Sequence, residues 1–76
     1  MDNGASKKFR KLLVEVRKAA GLTQAELSRR LKKPQSFVSK YERGERRLDV
    51  VEFGEVAKAL SVDPVKLLEK FYRETQ

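Results

Sequence analysis

The stretch Gln24-Ala25-Glu26-Leu27-Ser28-Arg29-Arg30-Leu31-Lys32-Lys33-Pro34-Gln35-Ser36-Phe37-Val38-Ser39-Lys40-Tyr41-Glu42-Arg43 decides the fold. It holds two short apolar patterns of helical period with a break between them. Leu27 and Leu31 stand four residues apart, and Val38 and Tyr41 three apart, so each pair shares one face of a helix. Pro34 cannot sit inside a helix, because it lacks an N–H and its ring clashes with the preceding turn. It is harmless at a helix start. The pattern therefore predicts one helix up to about Leu31, a turn, and a short helix from Pro34 to about Arg43. Ser28 is small where the second helix must pass close to the first. Gln35, Ser36, Ser39, Lys40 and Arg43 fall on the outer face of the second helix. Two short helices joined in this way, the second displaying polar groups, form a helix-turn-helix over residues 24–43.

Signals on either side complete an all-α, five-helix chain. Thr23 and Glu26 have capping-box spacing, with Leu22 and Leu27 as the hydrophobic staple around them. Upstream, Phe9, Leu13, Val16 and Ala20 make one apolar stripe, which predicts a helix from about Lys7 to Ala20 with Ser6 as N-cap and Gly21 as its stop. Downstream, Gly44 ends the short helix. Asp49 and Glu52 repeat the capping box, with Leu48 and Phe53 as staple, and Phe53, Val56, Ala57 and Leu60 continue the stripe. Asp63-Pro64 opens a fifth helix whose apolar residues are Leu67, Leu68 and Phe71. No stretch alternates for long enough to suggest a strand. Residues 1–5 read as a loose tail and residues 6–76 as a single domain.

Composition narrows the function classes. The 76 residues carry a formal charge of +7, which calls for an acidic partner. Residues 1–47 hold fourteen of the eighteen Lys and Arg and five of the eleven Asp and Glu, a net of +9, whereas residues 48–76 are at −2. The positive field thus belongs to the part that contains the helix-turn-helix. His and Cys are absent, and neither a phosphate loop nor a metal-ligand spacing occurs. Neither an enzyme nor a cofactor or metal site is expected. No signal peptide or membrane-length apolar run is visible, so the expected location is the cytoplasm, at the bacterial nucleoid.

The blocks Gly21-Leu22-Thr23-Gln24-Ala25-Glu26-Leu27-Ser28, Gln35-Ser36-Phe37-Val38-Ser39-Lys40-Tyr41-Glu42-Arg43-Gly44 and Ala57-Lys58-Ala59-Leu60-Ser61-Val62-Asp63-Pro64 resemble the Cro and lambda-repressor-like helix-turn-helix family, often called XRE. The resemblance spans roughly residues 9–71. It implies a DNA-binding regulator whose third helix lies in the major groove, where each base pair shows a distinct donor and acceptor pattern. Position by position, it implies base contacts from Gln35, Ser36, Ser39 and Lys40. Phe37 is expected to touch a thymine methyl or the sugar-phosphate edge, the alternative being partial burial. Phosphate contacts are implied for Gln24, Arg43, Arg46 and Arg47, with Gln24 also supporting Gln35, and the basic cluster Arg29, Arg30, Lys32 and Lys33 is expected to add one, at Lys33. Arg17 and Glu42 match a structural ion pair. The basic first turn, Lys7, Lys8, Arg10 and Lys11, reads as a solvated face.

The expected partner is double-stranded DNA, an operator with an inverted repeat. One small domain buries too little DNA for tight binding, so a homodimer on two half-sites is expected. Its contact surface is placed at Val65, Leu68, Phe71 and Tyr72. Activity as a repressor or autoregulator follows from the resemblance. The alternative is an antitoxin or coactivator-like module whose main partner is another protein. Two residues depart from the family pattern. Lys32 stands where the turn usually has Gly, so either a non-Gly residue is left-handed or the turn differs. Gly54 sits inside a helix, either for close approach of another backbone or without consequence.

Overall fold

The computed structural model describes residues 4–75. Five helices follow in order: α1 (Gly4–Ala19), α2 (Gln24–Arg30), α3 (Gln35–Glu42), α4 (Val50–Ala59) and α5 (Pro64–Thr75). The described residues contain no strand. Helix α1 begins three residues earlier than Lys7, and Ser6 lies within it rather than capping it. Of the residues expected in a tail, Gly4 and Ala5 are helical, and residues 1–3 lie outside the described residues. The extension has a tertiary cause. Ala5, Ser6 and Phe9 line one groove with Phe71 and Tyr72 of α5, and packing on a neighbour outweighs weak local propensity.

Both expected capping boxes form. The Thr23 and Asp49 side chains accept from the backbone N–H of Glu26 and Glu52, and each glutamate accepts in return from the N–H of the capping residue. Asp63 accepts from the N–H of Val65 at 2.8 Å, which opens α5. The staples close over these starts. Leu22, Leu27, Phe53 and Leu67 join one core with Leu12, Leu13, Val38, Tyr41, Val56 and Leu60, and Phe9, Leu48, Val62, Leu68 and Phe71 pack against it. Phe9 sits between Phe53 and Phe71, with ring centroids 5.5 and 5.2 Å away. The N-terminal helix is thereby fixed to the last two.

The first four helices end alike, each with a left-handed residue whose successor donates its N–H to the carbonyl five residues earlier. At the end of α2, Lys32 N–H donates to the Arg29 carbonyl at 3.1 Å and Lys33 N–H to the Ser28 carbonyl at 3.0 Å, a Schellman closure. Glycine takes the left-handed position after α1 and α3, but Lys32 (φ 58°) and Ser61 (φ 60°) take it after α2 and α4. The turn therefore keeps the family shape and Lys32 bears the strain, of order 1–2 kcal/mol. Replacement by glycine relieves the strain but gives the unfolded chain more entropy. Lys32→Gly is expected to stabilise the fold by about 0.5–1 kcal/mol, read as a rise of a few degrees in thermal unfolding. A fall would mean that the lysine stem contributes more than the strain costs.

Candidate nucleic-acid interface

The recognition helix is held from behind. Arg17 of α1 is 8% exposed and grips Glu42 of α3 with two bonds, Nε to Oε2 at 2.8 Å and Nη2 to Oε1 at 3.1 Å. Its Nη1 donates to the Leu22 carbonyl at 2.8 Å. Gln24 Nε2 donates to Glu42 Oε1 at 2.8 Å. One buried carboxylate thus gathers α1, the start of α2 and the end of α3. Planar bidentate pairing suits arginine, and burial makes both partners depend on each other. The Gln24 side chain supports α3 through Glu42, not through Gln35 as expected. Position along the chain could not distinguish these two nearby partners.

From that base, α3 turns Gln35, Ser36 and Lys40 outward as exposed side chains, with Ser39 half-buried among them. Ser28 Oγ donates to the Gln35 carbonyl at 3.3 Å, so the small residue of α2 holds the first turn of α3 directly. Ser39 Oγ donates to the Ser36 carbonyl within the helix at 3.2 Å. Tyr41, on the opposite side of α3, is buried in the core. Burial, reinforced by the Glu42 charge, pushes its phenol well above its ordinary pKa.

Phe37 shows the burial named as the alternative to base contact. It is 8% exposed, in a T-shaped arrangement with Tyr41, ring centroids 5.7 Å apart. Lys33 Nζ lies 5.4 Å and Arg46 Cζ 4.7 Å from its ring centroid. The ring belongs to the body of the domain, because the loop after α3 folds back across it. Helical spacing alone places Phe37 at the edge of the apolar face and cannot reveal that cover.

The cations expected at phosphates differ in their surroundings. Arg47 is exposed. Arg43 is paired with Glu45, Nε to Oε2 at 2.7 Å. Arg46 donates to Glu52 through both terminal nitrogens, at 3.1 and 2.6 Å, and to the Arg47 carbonyl. Glu52 is also the capping-box residue of α4, so Arg46 is anchored to a helix start. Arg10, read as part of a solvated face, lies against Gly44. A Cβ on Gly44 would stand 2.8 Å from Arg10 Cζ, and its φ of +81° also favours glycine. Together these groups tie the loop after α3 to α1 and α4.

Glu52 gives this anchoring a pH signature. The Arg46 hydrogen bonds first, then the Asp49 N–H, hold its carboxyl down at about 2. A depressed carboxylate contributes stability above its unfolded pKa, and that contribution is lost as pH falls through the folded value. The loop is expected to keep its Arg46–Glu52 geometry at pH 4 and to release it only towards pH 2. Carboxyl chemical shifts across an acid titration would check this. A Glu52 midpoint at 4 or above would mean that the pair does not persist in solution.

Helix α5 exposes Val65 (62%) and Tyr72 (59%). Leu68 and Phe71 are half-buried beside them and pack against the core. The start of α4 exposes Val50 (80%) and Val51 (68%), a pair that helical periodicity did not single out. Gly54 lies in the middle of α4 with open space where a Cβ would point, so no contact within this chain requires glycine there. No helix of the described residues is long and apolar enough to cross a membrane.

A helix-turn-helix family profile matches residues 13–67, and the chain belongs to that family, whose members are DNA-binding transcription regulators and not enzymes. Its XRE type is carried by an XRE-family like protein from Pseudomonas syringae pv. tomato. That structure shares 49% identity over 97% of this chain and 90% of its own, with a TM-score of 0.91. The restriction-modification controller protein C.AhdI from Aeromonas hydrophila is 34% identical over 86% of this chain and 98% of its own, with a TM-score of 0.77. A second controller protein, C.Esp1396I, shares the fold at 23% identity, covering 97% of each chain with a TM-score of 0.87. It has also been captured as a tetramer on its natural 35 base-pair operator. No curated protein sequence matches the chain.

Proposed function

We propose that this protein binds a two-fold symmetric DNA operator as a homodimer and regulates transcription there, as a repressor or autoregulator. The observation that carries the reading is the outward row Gln35, Ser36, Ser39 and Lys40 on a helix locked to the body by Arg17 and Glu42. Fixed donors and acceptors on a rigid element are what base reading requires, since each base edge must meet its partner in register. Gln35 and Lys40 are the strongest readers, for adenine N6/N7 and guanine O6/N7 respectively. Lys33, Arg43, Arg46 and Arg47, with the second amide hydrogen of Gln24, serve the phosphates. The domain spans residues 6–76 with the added first turn of α1.

The partner copy docks on α5. Val65, Leu68, Glu69, Tyr72 and Arg73 line one shallow concavity there. Glu69 and Arg73 stand one helical turn apart, so a two-fold axis beside them would set each against the opposite charge of the partner. The kinship with controller proteins supports a regulatory role at a promoter. Selection of preferred duplexes from a random pool, followed by titration at two salt concentrations, tests the reading. Enrichment of an inverted repeat bound far better than random DNA is expected. Binding without sequence preference that vanishes with salt would overturn base reading and leave charge alone.

A further inference from the structure

We infer that Phe37 is a positioning residue, whose ring seats two phosphate-binding cations on either side of the reading edge of α3. This inference rests on the DNA-binding reading. Lys33 comes from the turn before α3 and Arg46 from the loop after it. Both converge on one ring, at 5.4 and 4.7 Å from its centroid, within the range over which a ring face attracts a cation. Phe37 sits in the first turn of α3, next to the exposed Gln35 and Ser36, and the N-terminal end of a recognition helix is the end that meets the bases.

The two positive charges are held within about 10 Å of each other, a separation close to the screening length of physiological salt. They repel, and an unseated pair would spread into solvent. Three contacts oppose that spread: the ring that both approach, Glu52 on Arg46 at 2.6 Å, and the nearness of Lys33 to the same Glu52 carboxylate. The pair is thus gathered before DNA arrives, and less side-chain freedom is lost on binding. An anionic backbone relieves the remaining repulsion. This accounts for an aromatic ring in the motif that reads no base. The same ring also packs T-shaped with Tyr41.

The test uses the full chain and the duplex selected above. In the free protein, ring-current shifts of the Arg46 Nε–H and Lys33 Hε signals report the seat directly, whether or not DNA binding is specific. They are expected in the wild type and absent in Phe37→Leu, which keeps an apolar side chain. Phe37→Leu is expected to weaken binding roughly 5- to 20-fold at physiological salt, alike for all sequences, with a salt slope reduced by about one. Arg46→Ala is expected to absorb much of that effect, so the double variant falls well short of the product of the two losses. Thermal unfolding of each variant gives its folded fraction and corrects the affinities. Independent, multiplying losses, an unchanged salt slope, or absent ring-current shifts in the wild type would each overturn the proposal. Normal shifts together with non-specific binding would instead indict the base-reading assignment.

Discussion

Arg17→Ala is expected to destabilise the domain by about 3–5 kcal/mol, because it leaves the Glu42 carboxylate buried without its cation. The Glu42 side chain is 5% exposed, so water cannot replace the guanidinium. The Leu22 carbonyl also loses its donor. For a domain of this size the loss corresponds to a drop of roughly 15–30 °C in Tm, most of the stability such a chain possesses. Thermal unfolding by circular dichroism checks it. The double variant Arg17→Met with Glu42→Leu is expected to recover much of the loss, since an apolar pair of similar bulk carries no buried charge. It should nevertheless bind DNA less well than its stability suggests, because Gln24 and the end of α3 lose their common anchor. A loss below about 1 kcal/mol for Arg17→Ala would place the pair among weak surface ion pairs and remove the argument for a locked recognition helix.

Gln35→Ala is expected to change what the protein reads, not how well it folds. Gln35 is exposed at the first position of α3, and its backbone carbonyl, which holds Ser28, survives the substitution. A bidentate base contact contributes about 1–3 kcal/mol of discrimination, or roughly 5- to 150-fold between the right and wrong base. The variant should lose its preference at one position of each half-site and keep the others. Arg47→Ala provides the contrast. It should weaken binding to all duplexes alike and lower the salt slope by about one. Repeating the duplex selection with both variants separates the two roles. An unchanged preferred sequence for Gln35→Ala would remove it from the base-reading set.

Much of the fold was legible in local spacing. The boxes Thr23–Glu26 and Asp49–Glu52 join residues three apart, and nothing beyond one helical turn decides whether they form. The staples, the stop at Gly21 and the start at Pro64 are of the same kind. The pairing of Arg17 with Glu42 was expected only through family resemblance, because the partners lie 25 residues apart and no periodicity links them.

The sequence by itself determined the five helices, the polar outer face of α3 and the concentration of positive charge around it, because periodicity, capping and charge are properties of neighbouring residues. Tertiary structure alone decided that the first helix begins at Gly4, that Gln24 serves Glu42, that Arg10 covers Gly44, and that Leu68 and Phe71 pack against the core. It also decided the fate of Phe37. That ring stands at the boundary between the apolar and polar faces of a short helix, where spacing permits either burial or exposure. The loop carrying Arg46 folds back over it, anchored by Glu52 fifteen residues further on. Which face a boundary residue shows depends on what crosses it, and that is settled only once distant segments have packed.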